Sequence, residues 1–118
     1  MILQGRDINL DVLRIQGYRF FCNKIWNALR FSLMQLGENF TPVAEFVCND
    51  NLNDIDRWIL SRAANAIQEC DEGFRNYDFP RVTSACHGFW LYEFCDVYLE
   101  CCKPIFAEAD EATKNNSR

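Results

Sequence analysis

A short stretch near the start of the chain combines aromatic, cationic and amide side chains on one side of a predicted helix. Phe20, Lys24, Asn27 and Phe31 recur at spacings of three and four residues, which places them on a common face. Aromatic faces beside lysine and asparagine are the groups that single-stranded bases use for stacking and for contacts at base edges. Flanking arginines can hold backbone phosphates; here they are Arg14, Arg19 and Arg30.

The same helix carries a second apolar face on its opposite side. When each residue is placed about 100° after the last, the members of this face fall within about 60° of Cys22. They are Ile15, Tyr18, Ile25, Trp26, Leu29, Leu33 and Leu36. This wider stripe is predicted to face the core, which leaves the Phe20 side pointing outward. The residues alone leave two interpretations of that outward side open: a binding surface, or a face covered by another helix or an absent domain.

Residues that can act in catalysis or bind a metal do not cluster. The seven cysteines include no Cys-x-x-Cys pair. His87 adjoins Cys86 on a predicted helix, where neighbours point about 100° apart, and no further ligands lie nearby. Glu93 and Asp96 lie on a polar strip of the last long helix, and without a cleft to separate their pKa values we interpret them as ion-pair partners. The candidate partners are Arg19, Arg57 and Arg62.

Helical periodicity covers most of the chain, and no strand pattern interrupts it. Three long helices are predicted, over about 12–36, 53–76 and 80–107. An Asn/Asp-rich loop separates the first two helices, and the turn NYDFP separates the last two. The pattern predicts an all-α fold, an antiparallel bundle of three long helices with a possible short fourth in the polar segment 108–118.

Length and composition are those of one folded domain. The chain has 118 residues, is 49% hydrophobic and carries a net charge of −5. Residues 1–36 sum to +3, residues 37–72 to −6 and residues 73–118 to −2. This distribution does not suit a sequence-blind nucleic-acid binder with a broad basic surface, but it permits a local phosphate contact. No apolar run approaches the roughly 20 residues that span a bilayer and no signal peptide is recognisable, so we expect reduced thiols and no membrane partner.

Five runs of the sequence together resemble a known family. They are GRDINLD (5–11), GYRFFCNKIWNALRF (17–31), DRWILSR (56–62), FRNYDFP (74–80) and FWLYEFCDVYLECCKP (89–104). In this order and spacing they resemble the helical anticodon-binding domain of valyl-tRNA synthetases, which are class I aminoacyl-tRNA synthetases (valine–tRNA ligases). The isoleucine and leucine enzymes are the next most similar. The resemblance implies a linker remnant over 1–10, the anticodon-binding domain over 11–107 and a polar tail over 108–118.

The resemblance also implies that the bundle binds the anticodon arm of tRNA. The positions that match Lys24 and Phe31 lie on the helix whose outer face meets anticodon bases in such enzymes. This favours the RNA interpretation of the first helix over the covered-face interpretation. The implied RNA-binding residues are Lys24, Phe31, Asn27, Arg30, Phe20, Arg14 and Arg19. A helical protein-interaction or scaffold module, docked on a parent or partner protein, stays the alternative.

The chain departs from the family in what it lacks. The ATP-binding signature motifs of such ligases are absent, so we expect no cofactor and no catalysis in this chain. ATP and Mg²⁺ are expected to act in the catalytic domain of a parent ligase. The expected partners are tRNA with a valine anticodon and the rest of that parent, with no DNA, in the cytoplasm or else in mitochondria. Leu13, Phe20 and His87 differ from the residues expected in the family, which weakens the resemblance at those positions.

Overall fold

The computed structural model describes residues 12–42, 52–109 and 111–117. The helices in these ranges are α1 (Val12–Leu36), α2 (Asp54–Arg75), α3 (Phe79–Gly88), the π-helix π1 (Phe89–Tyr98), α4 (Leu99–Glu108) and α5 (Glu111–Asn116). The described part contains no strand, which confirms the all-α prediction, and the three long helices lie where they were predicted. The predicted linker and most of the predicted loop between α1 and α2 lie outside the described residues.

A tight hairpin joins α2 to α3. Asn53 caps α2 and Asp78 caps α3, and each side chain accepts a hydrogen bond from the backbone N–H three residues later, at 2.8 and 3.2 Å. Tyr77 turns the chain with a φ of 56°. The two helices approach closely at Gly73, where an added Cβ would lie 2.7 Å from a methyl group of Val82. The hairpin therefore holds α2 and α3 as antiparallel neighbours.

Three helical segments, α3, π1 and α4, follow one another without a break. The sequence predicted one regular α-helix here, but the ten residues of π1 are π-helical, with hydrogen bonds that join residues five apart. The Leu99 N–H accordingly donates to the carbonyl of Phe94. Side chains four and five residues apart share a face in such a helix. Phe89, Phe94 and Tyr98 form a stacked aromatic row on that face, with ring centroids 6.4 and 5.9 Å apart.

The core lies between α1 and the long helix formed by α3, π1 and α4. Ala28, Cys95 and Leu99 are buried at its centre. Half-buried aromatic side chains close around them, namely Phe31, Trp90, Phe94 and Tyr98. Burial of this apolar surface is the main force that holds α1 on the bundle.

Contacts along α1 give its direction relative to the long helix. Phe21 stacks on His87, Lys24 pairs with Asp96, and Phe31 contacts Phe106. Residue numbers rise together on both sides, so α1 runs parallel to the long helix. Because α2 is antiparallel to α3, the three long helices alternate in direction, as the sequence predicted.

A buried acid ties α2 to the end of the chain. Asp56 is 3% exposed, and its carboxylate accepts hydrogen bonds from the Tyr98 hydroxyl at 2.9 Å and the Ser117 hydroxyl at 3.0 Å. These two hydrogen bonds replace the water that the carboxylate loses on burial. A buried acid without such partners would destabilise the fold. Burial raises the pKa of Tyr98, so its hydroxyl keeps the proton that this network needs.

Candidate nucleic-acid interface

α1 packs on π1 and α4 through a narrow inner face. Ala28 lies at the centre of this face, where its small side chain lets the helix approach Cys95 and Leu99. Phe31 lies one turn further on and meets Phe106 edge-on, with ring centroids 6.4 Å apart. The inner face therefore contains a residue that the sequence placed on the outer side.

The predicted core face of α1 is wrong. Trp26 and Leu33, assigned to the core stripe, are 65% and 66% exposed, whereas Phe31 packs against the core. Apolar side chains occur on both sides of α1, and helical spacing gives the angle between the two sides without saying which meets the bundle. The side of α1 that meets the bundle is the one that fits the aromatic surface of π1. That side presents the small Ala28 with Phe31 beside it.

Lys24 lies at the edge of the inner face and forms an ion pair with Asp96 of π1. The hydrogen bond to Asp96 raises the pKa of Lys24, so the ammonium group stays charged at neutral pH. Its side chain keeps 40% exposure, which leaves it open to solvent beside its partner. The sequence predicted an arginine as the partner of Asp96, and the structure corrects this to a lysine.

Polar and aromatic side chains cover the outer face of α1. The exposed members are Arg19, Phe20, Asn23, Trp26, Asn27 and Arg30. They span about 120° of the helix circumference, and Arg19 and Arg30 lie about 16 Å apart along its axis. Neither arginine forms an ion pair within the ranges that the structure describes, and α1 itself contains no acidic residue. We call these six residues the outer face of α1.

The predicted RNA-binding residues divide between the two faces of α1. Four of them lie on the outer face: Phe20, Arg19, Asn27 and Arg30. Lys24 lies at the rim, and Phe31 lies on the inner face. Arg14 belongs to α1, but its side chain lies outside what the structure describes.

Trp26 is the outer-face residue that helical spacing places with the core stripe, because it falls within the arc of that stripe. Its position four residues before Arg30 and three after Asn23 gave an opposite signal, since those polar side chains share its side of the helix. The exposed indole gives the outer face a large aromatic surface beside two arginines.

A groove of about 310 Å³ between α2, α3 and π1 also carries arginines. Arg62 bonds to Glu93 at 2.5 Å, and Arg81 bonds to Glu69 and Glu72 at 2.6 Å each. These carboxylates already neutralise both cations, so an incoming phosphate would have to displace them. The bond between Arg62 and Glu93 confirms the interpretation of that acid as an ion-pair partner.

Metal sites and membrane-spanning helices are both absent from the described part of the chain. There, no three residues among His, Cys, Asp and Glu are grouped so that they could hold a metal ion. Likewise, no helix in that part has the length and apolarity needed to cross a bilayer.

Comparison with known proteins finds relatives over nearly the whole chain. Residues 56–118 match the family described as the anticodon-binding domain of tRNA ligase. The valine–tRNA ligase of Takifugu rubripes is 56% identical over 108 residues, which are 92% of this chain and 9% of that ligase. The valine–tRNA ligase of Homo sapiens is 51% identical over 115 residues, 98% of this chain and 9% of that protein.

A mitochondrial relative is nearly as similar. The mitochondrial valine–tRNA ligase of Homo sapiens is 50% identical over 103 residues, 87% of this chain and 10% of that protein. The chain thus spans about a tenth of the length of the curated relatives that it matches. No solved structure matches it.

Proposed function

Since the chain belongs to the family of anticodon-binding domains of tRNA ligases, we propose that it binds the anticodon arm of a tRNA through the outer face of α1. The observation that carries this proposal is the exposure of Trp26 between Arg19 and Arg30, which have no ion-pair partner within the described ranges. An aromatic platform beside free cations is the arrangement that single-stranded nucleic acids use for stacking and backbone neutralisation.

The roles follow from side-chain chemistry. Trp26 and Phe20 stack on unpaired bases, and Asn23 and Asn27 offer amide groups to base edges. Arg19 and Arg30 neutralise phosphates, with Arg14 as a further candidate on the same helix. These contacts lie along one helix, so they follow a single strand of the anticodon loop.

Lys24, at the rim, and Phe31, on the inner face, are proposed to play smaller parts in binding. Lys24 can reach a phosphate from its place beside Asp96, because a surface ion pair contributes only about 0–1 kcal/mol and exchanges readily. Phe31 supports the helix from below, and a base would meet only its exposed edge. Their contribution is therefore smaller than that of Trp26 and Arg30.

The parent protein is proposed to be a valine–tRNA ligase. The names of the relatives and their identities of 50–56% support this specificity. In that setting the chain supplies tRNA recognition, while ATP and Mg²⁺ act in a catalytic domain elsewhere in the parent. A cytoplasmic location is part of the same proposal, although the human relatives with and without the mitochondrial label are almost equally similar, at 50% and 51%.

A titration of the chain with a labelled anticodon stem-loop tests the proposal. The stem-loop carries a valine anticodon, and the controls are the same stem with a changed anticodon and a DNA hairpin of the same sequence. We expect binding that prefers the valine stem-loop and weakens with salt, by a slope of about 0.7 per neutralised phosphate of a single strand. Equal binding of all three hairpins, or no binding, would overturn the assignment of anticodon recognition.

Variants locate the binding surface. Trp26→Ala is expected to weaken binding by about tenfold, because stacking of one base contributes roughly 1–3 kcal/mol. Arg30→Ala should weaken binding and lower the salt slope. Arg75→Ala is the control for the loss of one positive charge, because Arg75 is an exposed arginine on α2, where it pairs with Asp71. Equal loss in Arg30→Ala and Arg75→Ala would place the RNA elsewhere.

A protein-docking module is the second candidate function. Leu29, Leu33 and Met34 are exposed on α1 beside the outer face, and contiguous exposed apolar side chains often mark protein contacts. Apolar association persists or strengthens with salt, whereas RNA binding weakens. Sedimentation of the chain at low and high salt therefore separates the two: self-association that survives high salt, with no RNA affinity, supports docking.

A further inference from the structure

Two thiols face each other across the α2–α3 hairpin. Cys70 on α2 and Cys86 on α3 have their Sγ atoms 3.5 Å apart. Cys86 is exposed and Cys70 is half-buried, where its thiol also lies 3.9 Å from the carbonyl oxygen of Val82. Among the described cysteines, these two are the pair whose sulfur atoms are in contact. We propose that Cys70 and Cys86 are a modification site, at which a hydroperoxide forms a reversible disulfide between α2 and α3.

The geometry requires only a small movement. A disulfide has an S–S length of about 2.05 Å, so the two sulfur atoms must approach by about 1.5 Å. Because Cys86 is exposed, its side chain has room to change its torsion angle toward Cys70. The hairpin has already fixed the two helices side by side through the Asp78 N–H bond to Gly73 at 2.8 Å.

The reaction takes place in two steps. The Cys86 thiolate attacks a peroxide oxygen: an S–O bond forms, the O–O bond breaks, and the other oxygen leaves as hydroxide or alkoxide. Cys70 sulfur then attacks the Cys86 sulfur: the S–S bond forms, and the sulfenic oxygen leaves as water with the Cys70 proton. The two thiols lose two electrons together, and one hydroperoxide is reduced.

Exposure assigns Cys86 the first step. Oxidants reach an exposed sulfur first, and burial together with the neighbouring thiol raises the pKa of Cys70, which keeps Cys70 protonated. Cys70 therefore acts as the resolving thiol. The disulfide closes a loop of about 17 residues, and closing such a loop constrains the unfolded chain.

Mass spectrometry of the oxidised chain tests the site. After treatment with hydrogen peroxide and blocking of free thiols, we expect a loss of two hydrogens and a non-reduced peptide that links Cys70 to Cys86. Dithiothreitol should restore both thiols. The Tm of the oxidised chain should rise by about 10 °C, as a loop of this length and a chain of this size imply.

Serine variants separate the two roles. Cys70→Ser should accumulate a sulfenic acid on Cys86 that dimedone labels, whereas Cys101→Ser, a control at an exposed cysteine, should behave like the unmodified chain. The proposal is overturned if oxidation yields only disulfides between chains or only higher oxides of cysteine. It is also overturned if Cys86→Ser forms an internal disulfide as fast as the unmodified chain.

Discussion

Lys24 of α1 forms an ion pair with Asp96 of π1 across the interface that holds α1 on the bundle. The pair joins residues 72 positions apart in the sequence. It lies at the edge of the inner face, next to the buried Ala28. Because Lys24 is paired with Asp96, its positive charge is partly neutralised. This lysine therefore attracts an RNA on the neighbouring outer face less strongly than an unpaired lysine would.

Releasing Lys24 should strengthen RNA binding without a large effect on the fold. Asp96→Asn is expected to raise affinity for the anticodon stem-loop by about two- to fivefold, because one more cation becomes free. The free energy of unfolding should fall by no more than about 1 kcal/mol, since both side chains are about 40% exposed. Fluorescence titration and urea denaturation measure the two effects. If Asp96→Asn gives the same gain in a Lys24→Ala background, the gain does not come from Lys24.

Two phenylalanines of α1 should differ sharply in their effect on stability. Phe31→Ala removes a ring that packs on the core and on Phe106, and is expected to lower the free energy of unfolding by about 2–3 kcal/mol. Phe20→Ala removes a ring that is 63% exposed, and should change it by less than about 0.5 kcal/mol. Urea denaturation of both variants checks this. Equal losses would show that the inner face of α1 is assigned incorrectly.

Two helical glycines should respond in opposite ways to alanine. A Cβ at Gly17 meets nothing within 4 Å, so Gly17→Ala should raise stability by about 0.5–1 kcal/mol through helix propensity. A Cβ at Gly73 would lie 2.7 Å from Val82 and 3.1 Å from the Asp78 carbonyl oxygen. Overpacking costs about 1–3 kcal/mol, which exceeds the propensity gain, so Gly73→Ala should be destabilising. Thermal unfolding of the two variants decides, and a rise in Tm for both would contradict the close approach of α2 and α3.

Stability should decline in alkaline solution. Burial raises the pKa of Cys102 to about 11 from its usual 9.0. A group whose pKa is higher in the folded state stabilises the fold below its unfolded pKa, and this contribution disappears as the pH rises from about 9 toward 11. Burial raises the pKa of Tyr98 as well, which extends the decline to higher pH.

Cys102→Ala isolates this contribution. The unmodified chain should lose about 2 kcal/mol from this thiol between neutral pH and its folded pKa. The variant and the unmodified chain differ in stability already at pH 7. The quantity to compare between them is therefore the slope of the urea midpoint against pH. A shallower slope for Cys102→Ala between pH 8.5 and 10.5 is expected, and parallel slopes would show that the Cys102 thiol does not control the decline.

The extent of the helices could be predicted from the sequence, but the direction in which α1 faces could not. Periodicity and turn residues located all three long helices because those signals are local. The inner face of α1 depends on Ala28 meeting the aromatic row of π1, which is a contact between distant segments. The π-helical winding of Phe89–Tyr98 also changes the phase of the side chains, so an α-helical projection placed Glu93 and Asp96 on one strip. In the structure they pair with α2 and α1 respectively.

Only part of the candidate site could be predicted from the sequence, because the orientation of α1 depends on contacts between distant segments. Arg19, Asn27, Arg30 and Phe20 are exposed, as a binding role requires. Helical spacing places Trp26 within the arc of the predicted core stripe, and the structure exposes it instead. Its exposure depends on the rotation of the whole helix, which a single residue type does not reveal.

The alternation of inner and outer residues along α1 matters for reading sequence variants of this chain. Arg30 and Phe31 are adjacent codons, yet one side chain faces solvent and the other faces the core. A missense change at codon 31 should lower the amount of folded protein in a cell, since losses of a few kcal/mol change abundance several-fold. A change at codon 30 should leave the protein level normal and, on the proposed function, reduce the use of its tRNA. Abundance and activity assays would therefore classify two neighbouring mutations differently.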